Sequence, residues 1–185
     1  MNYLNKVAEF HKTFKAPILD RPQLIERERA ALRIRLIQEE LDELKEAVEN
    51  DDLIEVADAL ADLQYVLSGA VLEFGMKKVF DEMFKEVHRS NMSKVCKNYD
   101  EAIATQAYYL TNRAIESTHE ELENKGYLVF RKSDMKVLKS INYSPADLSS
   151  ILKPHCSQCL SHYPQEDLQE YGGICESCYD FNINE

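Results

Sequence analysis

The sequence has no run of roughly 18 apolar residues, the length a membrane-spanning helix requires, so no membrane role is expected. Its first stretch, MNYLNKVAEFHKTFK, interrupts every apolar pair with charge where a secretory leader would be unbroken. The expected location is cytoplasmic. Positive charge is also scarce, with 22 Lys and Arg against 33 Asp and Glu, a net charge of −11. A general phosphate-backbone binder needs the opposite balance, so nucleic acid is not an expected partner. There is no internal repeat and no low-complexity tract. What remains is a 185-residue chain, 44% hydrophobic, sufficient for one ordinary domain and a small appendage. Without a secretion signal its five cysteines are not expected in disulfides, and four fall in two close pairs that suggest metal.

Most of the chain reads as helix. Leu4 to Phe14 is a short helix, and Pro17 and Pro22 bracket the loop after it. Nothing breaks helix from Gln23 to Glu49. Asn50-Asp51-Asp52 then offers a turn and an N-cap for a second long helix, which Gly75 closes. KKVFDEMFKEVHR, Lys77 to Arg89, is helical again, giving an all-α bundle with short loops. Asp100 to Lys125 reads as one or two further helices, EAIATQAYYL and AIESTHEELENK, and YLVFRK after Gly126 as a strand. Residues 98–134 therefore form a small α/β insertion, where Tyr108-Tyr109 would be a packing element or a platform for a base. Lys136 to Leu152 reads as an extended stretch, a turn and a short helix capped by Ser144.

The chemistry lies in the acids between Glu39 and Asp62. Ile37, Leu41, Leu44 and Val48 make one stripe on the first long helix, with Glu40 and Glu43 on its flank and Glu39 further round. On the next helix Leu53, Val56, Leu60, Leu67 and Val71 make the stripe, and Glu55, Asp58 and Asp62 cluster opposite. Acidic helix faces are ordinarily solvated. Here a short turn would set Glu40 and Glu43 opposite Glu55 and Asp58, and four carboxylates that close repel unless a cation stands between them. Hard oxygen donors favour magnesium or manganese, which recruits the phosphates of a nucleotide.

EELDE followed by EVADALADLQYVLSGAVLEFG resembles the EExxE and ExxD motifs of the all-α nucleotide pyrophosphohydrolase superfamily, which includes MazG-like enzymes, helical dimeric dUTPases and phosphoribosyl-ATP pyrophosphohydrolases. FDEMFKEVHRSNMSKV and KVLKSINYSPADL look like further segments of the last subgroup, so the resemblance covers residues 1–152 apart from the insertion. It implies a MazG-like bundle, dimeric or tetrameric, that hydrolyses a nucleoside triphosphate to monophosphate and pyrophosphate with Mg2+ (or Mn2+), a deoxynucleotide being the first expectation. Glu40, Glu43, Glu55 and Asp58 would hold metal, and Glu39 or Glu40 would orient the attacking water. A second register selects Asp62, in ADLQY, as the final acid. Glu55 and Asp58 are preferred because they keep both acids, with Asp62 as a second-metal ligand. Arg89, Asn91, Lys94, Lys139, Asn142 and Tyr143 are the expected contacts to phosphate, sugar or base. The alternatives are a strict dUTPase, or a non-catalytic helical module presenting its tail to a protein partner.

That tail, residues 153–185, carries CSQC at Cys156–Cys159 and CESC at Cys175–Cys178, the spacing of a zinc ribbon. Four thiolates would close a structural Zn2+ site with no open position for catalysis. The tail has no Lys or Arg after Lys153, so a protein contact is expected of it rather than nucleic acid.

Overall fold

The computed structural model describes residues 3–152 together with Gly173, Cys175, Glu176 and Cys178. It is predominantly helical, with one two-stranded sheet, and divides into two compact units, Met1–Asp81 and Glu82–Glu185.

The first unit holds helices α1 (Tyr3–Thr13), α2 (Arg27–Glu49) and α3 (Leu53–Glu73). The α2–α3 hairpin turns where the sequence suggests. Asp51 adopts a left-handed φ of 54°, and the Asp52 carboxylate accepts from the backbone N–H groups of Ile54 and Glu55, capping α3. Helix α2 begins at Arg27 rather than Gln23, because residues 22–26 run extended and Gln23 N–H donates to the Phe74 carbonyl (3.1 Å). Leu19 N–H likewise donates to the Leu72 carbonyl (3.1 Å), so the loop after α1 lies along the end of α3. Gly75 follows at φ 70°; a Cβ there would stand 1.8 Å from the Arg21 carbonyl oxygen, which only glycine avoids. Val7, Ala8 and Leu72 form the buried core of this unit, with Ile18 against them.

Helix α4 (Phe80–Met92) carries the chain into the second unit, three residues later than the sequence pattern suggests because 77–79 form a turn. There follow α5 (Tyr99–Arg113), strands β1 (Ser117–Leu122) and β2 (Gly126–Arg131), and the short helix α6 (Leu148–Ile151). The expected helix over AIESTHEELENK is absent. Ala114, at φ 52°, ends α5 in the left-handed region, and β1 pairs antiparallel with β2, Ser117 opposite Arg131 and Leu122 opposite Gly126. Tertiary pairing overrides the weak helical pattern of this segment. Helix α6 is capped by Asp147, whose carboxylate accepts from the Ser149 and Ser150 N–H groups, and not by Ser144. Cys96, Ala102, Val129 and Leu138 form the core here, and Cys96 is the buried small apolar residue its surroundings suggest.

Candidate active site

The face of α2 turned inward differs from the stripe of large aliphatics. From Arg33 onward its buried and half-buried positions are Arg33, Leu36, Ile37, Glu40, Leu44 and Ala47, whereas Ile34, Leu41 and Val48 are exposed. Arg33 to Glu40 and Glu40 to Ala47 are each seven residues, so at about 100° per residue each pair points within roughly 20°. Glu40 is therefore on the packing ridge itself and not merely on its flank. On α3 the inward row is Val56, Ala59, Leu63, Val66 and Ala70, and Leu53, Leu60 and Leu67 are exposed. Each exposed row repeats every seven residues, one stripe per helix. The hairpin thus has two apolar faces, and a single chain covers one of them.

Burial raises the pKa of Glu40, and the charges of Glu43, Asp62, Glu39 and Asp58 raise it further, in that order. Every influence on this carboxyl acts in the same direction. Two of these acids come from α2 and two from α3, so the hairpin brings the predicted acids around Glu40. Asp62 acts on it more strongly than Asp58, while Glu55, nearer the turn, is exposed and is not among the groups acting on it. As the side chains stand, no three acidic, histidine or cysteine groups among the described residues close on a common point. The donor set still suits a hard divalent cation, being all oxygen and carrying the charges of several carboxylates around Glu40.

One group the sequence reading missed lies deeper in the same unit. Glu73 is 1% exposed and accepts from both Arg29 and Arg33, while Arg33 Nη2 also approaches His11 Nε2 at 3.3 Å. His11 Nδ1 lies 2.8 Å from the Pro17 carbonyl and donates to it, which leaves Nε2 as the acceptor for Arg33. Burial pushes the Glu73 pKa up, but the hydrogen bonds and charges of Arg33 and Arg29 outweigh it, and the net shift is downward. In AVLEFG this acid looks like an ordinary helix-end residue; only its pairing with arginines some forty positions earlier identifies it.

The expected substrate contacts all lie in the second unit. Arg89 is engaged on every side: Nε donates to Glu86 at 2.7 Å, Nη1 to Ser144 Oγ at 3.0 Å, and Nη2 to the Pro145 carbonyl at 3.0 Å. Its hydrogen bonds hold the Glu86 pKa down to about 2. Lys94 donates to Asn91 Oδ1 (2.8 Å), and Lys139 Nζ lies 4.2 Å above the Tyr143 ring. The Tyr143 hydroxyl meets Ser90 Oγ at 2.9 Å, which with Lys139 and Lys94 lowers its pKa. The segment bearing these residues is anchored on α5. Ser140 Oγ donates to the buried Glu101, Ile141 N–H to Thr105 Oγ1 (3.1 Å) and Lys139 N–H to the Tyr109 hydroxyl (3.2 Å). Asn142 is exposed beside them, its N–H donating to Ser140 Oγ at 2.9 Å.

Of the four paired cysteines, Cys175 is buried and Cys178 half-buried, whereas Cys156 and Cys159, and with them the zinc ribbon as a unit, lie outside the described residues. No helix among the described residues is long and apolar enough to cross a membrane.

Residues 7–91 match the family described as phosphoribosyl-ATP pyrophosphohydrolase, a match that takes in the second half of α1, all of α2 and α3, and every acid around Glu40. The chain is also 26% identical, over 241 aligned positions, to an uncharacterized protein of Acanthamoeba polyphaga mimivirus; the alignment covers 80% of this chain and 94% of the viral one.

Proposed function

We propose that the protein is a nucleotide pyrophosphohydrolase that splits a nucleoside triphosphate, a deoxynucleotide in the first instance, into monophosphate and pyrophosphate. The observation that carries this reading is Glu40, a carboxyl on a packing ridge whose charge is opposed by burial and by four other acids. Such an arrangement is stable at neutral pH when a divalent cation offsets it. The match of residues 7–91 to a pyrophosphohydrolase family supports the same chemistry.

Glu40, Glu43 and Asp58 would hold magnesium or manganese, with Glu55 at the turn-proximal edge and Asp62 toward a second ion. When bound, magnesium supplies charge neutralisation of the phosphates and polarises the phosphoryl oxygen. Glu39 or Glu40 orients the attacking water and accepts its proton. Asn91, Lys94, Lys139, Asn142 and Tyr143 serve phosphate, sugar and base, and Arg89 braces the segment from Ser144 to Pro145 that follows them. The exposed rows Ile34, Leu41, Val48 and Leu53, Leu60, Leu67 support a homodimer, because contiguous apolar faces of this size are normally covered. The four cysteines would hold a structural zinc that presents the tail to a protein, and the reading places the protein in the cytoplasm.

The test is a panel of common ribo- and deoxyribonucleoside triphosphates, dUTP included, scored for monophosphate and pyrophosphate with magnesium. Turnover that falls at least about 100-fold in Glu40→Gln supports the reading. Hydrolysis of dUTP alone identifies a strict dUTPase. No pyrophosphate from any substrate, in folded protein, returns the chain to a binding module.

A further inference from the structure

A cavity of about 860 Å³ opens on the second unit, within the range of roughly 300–1,000 Å³ usual for small-molecule sites. Its rim is cationic: Lys94, Arg113, Arg131, Lys136 and Lys139 all line it, and among the described residues no acid does. In a chain of net charge −11 this concentration of one sign is against the average, and it places like charges together at an electrostatic penalty that an anion relieves. Arg131 is paired with Asp134, Nε to Oδ1 at 2.7 Å. The side-chain nitrogens of the other four have no carboxylate hydrogen-bonded to them among the described residues, the Lys136 backbone N–H alone donating to Asp134 (3.2 Å); Lys94 Nζ donates to the Asn91 amide and Lys139 Nζ lies over the Tyr143 ring.

The floor is apolar and aromatic. Leu138 belongs to the buried core, Ile115 and Tyr109 pack against it, and Tyr108 stands perpendicular to Tyr109 with ring centroids 5.5 Å apart. Tyr109 is held by the hydrogen bond to Lys139 N–H, while Tyr108 is 45% exposed, leaving a ring available for stacking at the mouth. A bare anion would need the rim but not the floor. An uncharged ring would need the floor but not five cations.

We propose that this cavity binds a nucleoside polyphosphate, its phosphates on Arg113, Lys136, Lys94 and Lys139 and its base against Tyr108. The insertion supplies Tyr108, Tyr109, Arg113, Ile115 and Arg131 to the site and the segment after it the rest apart from Lys94, so that Arg113, Lys136 and Tyr108 are added to the contacts already named. It rests on the nucleotide reading above only for the identity of its ligand, since binding here requires neither metal nor hydrolysis.

Titration calorimetry of the full chain with ATP in EDTA, alongside inorganic tripolyphosphate, tests it. ATP should bind more tightly than tripolyphosphate. The Arg113→Glu/Lys136→Glu double variant should weaken ATP binding at least about tenfold, and Tyr108→Ala about fivefold or more. The charge control Lys12→Glu, in the first unit, should bind as the parent does. The milder Arg113→Gln/Lys136→Gln pair replaces the reversal if circular dichroism shows that the latter is unfolded. ATP affinity unchanged in the double variant, or lost equally in Lys12→Glu, overturns the site; tripolyphosphate binding as tightly as ATP overturns the nucleoside. Binding without turnover in magnesium would retain this cavity and refute the proposed hydrolysis, and turnover with no effect of Arg113 and Lys136 on binding would do the reverse.

Discussion

Arg33 on α2 donates through Nη2 to Glu73 on α3, and the same carboxylate oxygen accepts from Arg29 one turn earlier. The pair is buried on both sides, and it fastens the far end of the hairpin whose nearer part carries the acids. The His11 ring adds an acceptor beside Arg33, whereas the Arg29 side chain, 36% exposed, reaches the surface.

Glu73→Gln should therefore destabilise the first unit strongly, by roughly 3–5 kcal/mol, because the buried Arg33 guanidinium loses its counter-charge and Arg29, partly exposed, adds less. The pH dependence follows from the lowered pKa of Glu73. Its contribution is complete above the ordinary glutamate value and is lost as the pH falls from there through the depressed folded value. Urea denaturation at neutral and acid pH checks both points. A variant matching the parent at pH 7 would mean that the pair contributes nothing.

Gly69 lies against this cluster. A Cβ at that position would come within 2.7 Å of Arg33 Nη1 and 3.1 Å of His11 Nε2, both on buried side chains. Gly69→Ala should lower stability by about 1–3 kcal/mol despite its better helix propensity. In an Arg33→Met background the added methyl has room, so the loss should shrink; an undiminished loss in that double-mutant cycle would remove the steric explanation.

Leu60 sits at the centre of the exposed row on α3. Leu60→Glu alters nothing buried within the chain, so melting of the isolated chain should change by no more than about 0.5 kcal/mol. In sedimentation velocity the parent should run as a dimer and the variant as a monomer. A monomeric parent would rule out a second copy as the cover of this face.

Removal of one thiolate tests the tail. Cys175→Ser should release zinc measured by elemental analysis, and the parent should lose the same metal to a strong chelator, since a tetrahedral thiolate site tolerates no missing ligand. Equal zinc content in parent and variant would exclude Cys175 as a ligand.

The sequence reading succeeded where local chemistry decides the structure. Asp52 caps α3 because a carboxylate before an apolar periodic run satisfies orphan N–H groups, and Gly75 ends that helix because the backbone needs φ above zero. It failed where long-range pairing decides. Ser117 to Leu122 is a strand because β2 is available to pair with it, and Asp147 takes the cap of α6 in place of Ser144. The inward face of α2 was misjudged for a related reason. Periodicity shows which residues share a stripe but not which stripe faces its own chain, and the larger aliphatics Leu41 and Val48 lie on the one that does not. Glu40, taken for a residue bordering the core, proved to be on the packing ridge.

Ala47 and Ala59 are buried on the inward faces of α2 and α3, four residues after Glu43 and one after Asp58. Methyl-sized side chains there let two backbones run close, and the acids ride on those backbones. The two alanines accordingly act as a spacer whose thickness is transmitted to the carboxylates. A valine at either position would part the helices and stretch the acid cluster without touching any member of it. Packing and carboxylate spacing in this hairpin are thus coupled through the same pair of backbones.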